Sequence, residues 1–130
     1  MSLSGKTAVI TGSNSGIGLG IATELAKSGA NVILNSFTNR DEDHALAESL
    51  SRDHGITARY IAADLSDGAA ARQLIADAGA CDILVNNAGI QHVAPITEFP
   101  PEKWDQIISI MLNAPFHTTA AALPMMRSAG

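Results

Sequence analysis

The sequence predicts an α/β fold built on a doubly wound parallel sheet. Four apolar runs, over 7–11, 31–35, 58–63 and 81–85, alternate with stretches of helical periodicity. The first run ends in Gly12-Ser13-Asn14-Ser15-Gly16-Ile17-Gly18, whose glycine spacing marks a buried strand, a tight turn and a helix start. Right-handed crossovers then give the strand order 3-2-1-4, with a ligand at the carboxyl ends of strands 1 and 4, where the winding reverses. This is a Rossmann-like arrangement, and 130 residues suit one domain over 1–130.

Each element has a local reason. In the glycine turn, Gly12 makes the bend, Gly16 lets the backbone approach a bound pyrophosphate, and Gly18 lets the helix pack on the strand. The helix start offers unpaired N–H groups and the positive end of its dipole to phosphates. Ile17, Ile21, Leu25 and Ala26 recur at helical spacing, and Gly29 stops this helix just beyond Lys27. After the second run, Val32-Ile33-Leu34, either Thr38 or Asn39 caps a helix with Asp41, Glu42 and Asp43 in its first turn, ending near Gly55. The third run leads into Asp64-Leu65-Ser66-Asp67, where Ser66 or Asp67 caps a helix carrying Ala71, Leu74, Ile75 and Ala78 that closes at Gly79.

The fourth run leads directly into Asn86-Asn87-Ala88-Gly89. Turn chemistry follows from Ile90 to Pro101, and a long helix begins around Glu102 with the stripe Trp104, Ile107, Ile108, Met111, Pro115, Ala122 and Met126. Pro115 inside it removes a donor and crowds the preceding turn, about 3 kcal/mol if uncompensated, so a kink is expected there.

Composition excludes several functions. The net charge of -5, with no basic stripe, argues against nucleic acid as a partner. No run approaches the roughly 18 apolar residues of a membrane span, and Met1-Ser2-Leu3-Ser4-Gly5-Lys6 lacks a signal-peptide pattern, so a soluble, cytoplasmic protein is expected. Cys81 is the one cysteine. It forms no internal disulfide or cysteine metal site and reads as a small buried residue, and no metal is expected.

Thr11-Gly12-x-x-x-Gly16-x-Gly18 together with Asn86-Asn87-Ala88-Gly89 resembles the short-chain dehydrogenase/reductase family. Within it, Gly89-Ile90-Gln91-His92-Val93-Ala94-Pro95, Glu98-Phe99-Pro100-Pro101-Glu102-Lys103-Trp104 and Phe116-His117-Thr118-Thr119 with Ala121-Ala122-Leu123-Pro124 are similar to the bacterial 3-hydroxybutyrate dehydrogenases. The resemblance spans the whole chain but about the first half of such an enzyme. It implies that backbone around Gly12, Asn14, Gly16 and Ile17 holds the pyrophosphate and adjoining ribose. It also implies that Asp64 accepts from the adenine amino group while the Leu65 N–H serves a ring nitrogen, and that Asn87, Ala88 and Gly89 line the nicotinamide ribose. Taken alone, Asp64 reads as a strand-end turn residue. Asn86 reads as a tie between strand 4 and its neighbours.

Cofactor choice turns on the end of the second strand. Many NAD enzymes place an acid there, and this sequence has Asn35-Ser36-Phe37. An NADP enzyme wants a cation, for which Arg40 is the one nearby candidate, and it reads as a solvated residue opening the acidic helix. A small residue followed by Phe37 resembles the hydroxybutyrate group, which uses NAD, so NAD is favoured over NADP. Gln91 resembles the glutamine that helps hold the substrate carboxylate. His92 and His117 match non-catalytic positions and read as structural or surface residues.

The family's proton donor is a Tyr with a Lys four residues later, aided by a Ser and an Asn. The one tyrosine here, Tyr60, sits in the third apolar run and has no lysine at that spacing. The family's Asn position falls on Met111, read as an ordinary core residue, while Asn113 lies about 200° away on an α-helix. No catalytic residue is therefore assigned. Strand 4 is left as an open edge, which invites association, and the helix over 102–127 is the expected contact between two copies. Three readings stand: the cofactor-binding part of an NAD-dependent 3-hydroxybutyrate dehydrogenase, a non-catalytic nucleotide-binding or assembly module, and a short-chain reductase of other specificity. Binding of NAD is expected to be weak and turnover by these residues undetectable.

Overall fold

A computed structural model describes residues 2–130, with Met1 of the N-terminal stretch outside them. The chain runs β1 (Thr7–Ile10), α1 (Gly16–Lys27), β2 (Asn31–Ser36), α2 (Asp41–His54), β3 (Ala58–Ala62), α3 (Gly68–Ala78) and β4 (Ile83–Val85). All strand pairs are parallel and the order is β3-β2-β1-β4, as predicted. Val9 sits opposite Ile33 and Leu84 across the sheet centre. β4 is shorter than the apolar run that announced it, and Asp82 just before it still holds β1, its N–H donating to the Thr7 carbonyl and its Oδ2 accepting the Thr7 N–H, both at 2.8 Å.

Strand periodicity divides the core into two layers. Ala8, Ile10, Val32 and Leu34 face Ala22 and Ala26 of α1 and Ala47 and Leu50 of α2. Val9 and Ile33 face the other way, toward Leu74 and Ile75 of α3 and toward Ala114 and Ala122. Ile10, Leu34, Leu74 and Ile75 are fully buried, each a gain of about 1.5–3 kcal/mol from apolar surface removed from water. Helices on both faces leave the carboxyl ends of the strands as the open side.

The helix ends correct one capping expectation and decide between the alternatives of another. Arg40, not Thr38 or Asn39, occupies the N-cap of α2, because Asp43 in the first turn reaches back to the Arg40 N–H at 3.0 Å. Asp67 rather than Ser66 caps α3, its Oδ1 accepting the Ala69 N–H at 2.9 Å. α2 and α3 end at Gly55 and Gly79, and α1 ends at Ser28, one residue before Gly29.

The long terminal helix is in three parts: α4 (Pro101–Ile108), a π turn over Ser109–Asn113, and α5 (Ala114–Ala129). The interruption expected at Pro115 thus falls one turn earlier, where the Ala114 N–H reaches back to the Ser109 carbonyl. Pro115 then sits in the first turn of α5, where a missing N–H costs least. Pro124 also lies inside α5. The π turn also overturns the core reading of Met111, which is 51% exposed. Its methyl group lies over Gly89, where a Cβ would come within 3.3 Å. Trp104 is likewise half exposed and meets Phe99 edge to face.

Candidate functional site

A cleft of about 670 Å³ opens at the carboxyl ends of the strands. That volume lies within the range of small-molecule sites. Gly12, Asn14 and Ile17 line it from the β1–α1 turn, Phe37 from the end of β2, Asp64 and Leu65 from the end of β3, and Asn87, Ala88 and Gly89 from the end of β4. Gly16 and Gln91, also singled out from the sequence, are not among its lining residues. Gly16 stands at the head of α1 with φ +58° and open space beside it. Gln91 is exposed in the loop after β4.

The glycine turn leaves no room for side chains at two positions. Gly12 has φ +60°, and a Cβ there would lie 2.8 Å from Ala88 Cα. A Cβ on Gly18 would lie 2.4 Å from the Gly12 carbonyl oxygen and 2.5 Å from Asn87 Nδ2. The first turn of α1 therefore presses directly against the turn that precedes it. Ser15 occupies the N-cap of α1 without a side-chain capping bond, so the helix start keeps donors for a ligand.

Three side chains bolt this turn in place. Asn87 Nδ2 donates to the Thr11 and Gly12 carbonyls at 3.1 and 3.0 Å. Asn35, fully buried, accepts the Gly12 N–H at 3.3 Å and donates to the Ile61 carbonyl at 2.9 Å. The Ser13 hydroxyl accepts the Asn35 N–H at 2.9 Å and donates to the Ile10 carbonyl at 2.6 Å. Sequence reading treated Asn35 as a missing acid and passed over Ser13. The available signal for Asn35 was an amide ending an otherwise apolar buried run.

Asp64 is the one charged residue among those lining the cleft. Its Oδ1 accepts the Ser66 hydroxyl at 2.6 Å and the Ser66 N–H at 3.0 Å, which hold the carboxyl below its ordinary pKa. The turn role read from the residue alone is thus present in the structure. Asn86 ties strand to helix, its Oδ1 accepting the Thr118 hydroxyl at 2.6 Å. Tyr60 is a buried β3 residue whose hydroxyl donates to the Thr38 carbonyl. His117 accepts from Arg72 Nε at 2.9 Å and His92 packs edge to face on Phe99. Cys81 is buried. Among the described residues no cluster of ligands suits a metal ion, and no helix is long and apolar enough to cross a membrane.

The profile of the family described as short chain dehydrogenase matches residues 6–130. The chain is 54% identical over 129 residues to D-beta-hydroxybutyrate dehydrogenase of Cupriavidus necator, covering 96% of this chain and 49% of that protein. It is 46% identical over 129 residues to the Rhizobium meliloti protein of the same name, covering 96% and 50%. The chain therefore spans about half the length of the curated relatives it matches. Among solved structures, L-sorbose reductase from Gluconobacter frateurii complexed with NADPH and L-sorbose superposes with a TM-score of 0.93 at 36% identity, over 98% of this chain and 50% of that one. A metagenomic short-chain oxidoreductase in complex with NADP gives 0.89 at 36% identity, over 99% and 60%.

Proposed function

Because this chain belongs to the short-chain dehydrogenase family, we propose that residues 1–130 form a dinucleotide-binding domain, part of an oxidoreductase that passes hydride between 3-hydroxybutyrate and NAD. The observation that carries the reading is the cleft at the β1 and β4 ends, where an uncapped helix start meets a glycine turn too tight for side chains. In this reading Gly12, Asn14, Gly16 and Ile17 hold the pyrophosphate and adjoining ribose by backbone contacts. Phe37, Asp64 and Leu65 flank the adenosine, with Asp64 accepting from the adenine amino group. Asn87, Ala88 and Gly89 line the nicotinamide ribose, and Gln91 binds the substrate carboxylate. The bound cofactor supplies the hydride acceptor.

Support for NAD over NADP comes from charge. No lysine or arginine is among the residues lining the cleft, and Asp64 puts a carboxylate there, which disfavours an extra phosphate. The substrate assignment is supported by the hydroxybutyrate dehydrogenase relatives.

We further propose that these residues alone do not turn over. Tyr60 is committed to the Thr38 carbonyl inside the fold, so it cannot deliver a proton in the cleft. That observation also favours the second reading, a nucleotide-binding module without chemistry. The exposed Trp104, Met111, Leu112 and Phe116 support association with a second copy through 102–127. The proposal includes a cytoplasmic location, supported by a sequence whose lone cysteine forms no internal disulfide.

Calorimetric titration with NAD, beside NADH absorbance in the presence of 3-hydroxybutyrate, tests the proposal. Saturable, weak NAD binding without absorbance change is expected. Absence of binding overturns the nucleotide reading, and sustained NADH production overturns the claim of no turnover.

A further inference from the structure

This inference rests on the nucleotide reading and concerns a residue outside the lining of the cleft. Asp43 belongs to the acidic first turn of α2, yet it is 3% exposed. Its Oδ2 accepts the Thr38 hydroxyl at 2.8 Å and the Arg40 N–H at 3.0 Å. Its Oδ1 accepts from Asn14 Nδ2 at 3.2 Å and Arg40 Nη2 at 3.4 Å. Helix capping explains the Arg40 N–H bond. It does not explain Asn14, which lies 29 residues earlier in the glycine turn and lines the cleft. Thr38 and Arg40 follow Phe37, which also lines the cleft. One carboxylate therefore joins the β1–α1 turn to the β2–α2 loop at this end of the site. It also draws in the Arg40 guanidinium, which is absent from the cleft lining although it is the cation next to Phe37 along the chain.

We propose that Asp43 is a positioning and specificity residue: it fastens the glycine turn to the β2–α2 loop and keeps the Arg40 guanidinium occupied, so that the site takes a dinucleotide with free ribose hydroxyls and rejects one bearing an added phosphate monoester. An amide in place of the carboxylate keeps an acceptor for the cap but loses the charge. The guanidinium then keeps only the exposed Glu42 carboxylate, 4.0 Å from its Nε, and a phosphate is the partner it binds best.

The test compares the wild-type chain, Asp43→Asn, and Asp43→Asn combined with Arg40→Gln, by calorimetry with NAD and NADP, and adds hydrogen exchange without nucleotide. Asp43→Asn is expected to lower the NADP-to-NAD ratio of dissociation constants about tenfold, the effect of one charge-assisted hydrogen bond. Arg40→Gln is expected to abolish that change. Without nucleotide, amides over 12–16 and 36–40 are expected to exchange faster together. Asn14→Ala severs the tie from the glycine-turn side while leaving the α2 cap intact, and is expected to speed exchange over 36–40 as well. An unchanged ratio in a variant that still binds NAD overturns the specificity role and leaves the nucleotide reading standing. A changed ratio that survives Arg40→Gln overturns it too. Unmoved exchange over 36–40 in Asn14→Ala reduces Asp43 to a helix cap, and a wild type that binds neither dinucleotide overturns the nucleotide reading together with this one.

Discussion

Asn87 donates twice to Thr11: its backbone N–H meets the Thr11 hydroxyl oxygen at 3.0 Å, and its side-chain amide meets the Thr11 carbonyl at 3.1 Å. The same hydroxyl accepts the Ala88 N–H at 2.9 Å. One threonine thus joins the ends of β1 and β4, the two strands between which the winding of the sheet reverses. Thr11 is 2% exposed, so water has little access to these groups.

Replacing Thr11 by Val keeps the shape and removes the acceptor of two N–H groups. Thr11→Val is expected to destabilise the chain by about 1–3 kcal/mol in urea unfolding, the cost of leaving the Ala88 N–H without its acceptor, since the Asn87 N–H keeps the Val85 carbonyl at 3.1 Å. A loss below about 0.5 kcal/mol, typical of an indifferent surface site, contradicts the role given to the hydroxyl.

The glycines separate by sign. Gly18→Ala drives a Cβ into the Gly12 carbonyl and the Asn87 amide and is expected to cost about 1–3 kcal/mol. Gly20, two residues along α1, has open space within 4 Å of where a Cβ would sit, and Gly20→Ala is expected to stabilise by about 1 kcal/mol. Thermal melts of the two variants check both. Equal effects would show that close packing of the helix start is not what requires glycine at position 18.

The alternation of apolar runs with helical stretches carried the strand order, because a right-handed crossover leaves few alternatives. The glycine turn was legible for the same reason: its residues need unusual backbone and close contact whatever surrounds them. Asp43 was not legible. In Asp41-Glu42-Asp43 all three acids suit a helix N-terminus, and tertiary packing alone buries the third against Asn14 and Thr38. Met111 was misread because a stripe counted at α-helical spacing drifts when a π turn intervenes. The roles of Asn35 and Ser13 depend on which loops meet, which one chain read in order does not reveal.

Acid should weaken the fold through two carboxyls. Hydrogen bonding to the Arg40 N–H, with Thr38 and Asn14, holds Asp43 well below the usual carboxylate range, and Ser66 lowers Asp64. Both are depressed on folding, so the folded chain binds fewer protons than the unfolded one. Their stabilisation is complete above the unfolded value of about 4 and is lost as pH falls below it. Stability measured by circular dichroism from neutral pH downward should fall in that window, and more gently in Asp43→Asn. An identical pH profile in the variant contradicts the depressed Asp43.

Burial, with the neighbouring charge of Asp82, pushes the Cys81 thiol up to about 11. The native chain should therefore resist alkylation at neutral pH and label fully once unfolded in urea. Stoichiometric labelling of the folded chain would show that the Cys81 side of the sheet opens readily.

The central claim is that a dinucleotide lies along the carboxyl ends of the strands with its phosphates at the start of α1. Titrating NAD into the isotopically labelled chain and following backbone amide resonances tests it most directly. Saturable shifts are predicted at Gly12, Asn14, Gly16 and Ile17, with companions at Phe37, Asp64, Leu65, Asn87, Ala88 and Gly89. Shifts that never saturate, or that gather on α3 and α5 and leave the glycine turn unmoved, contradict it.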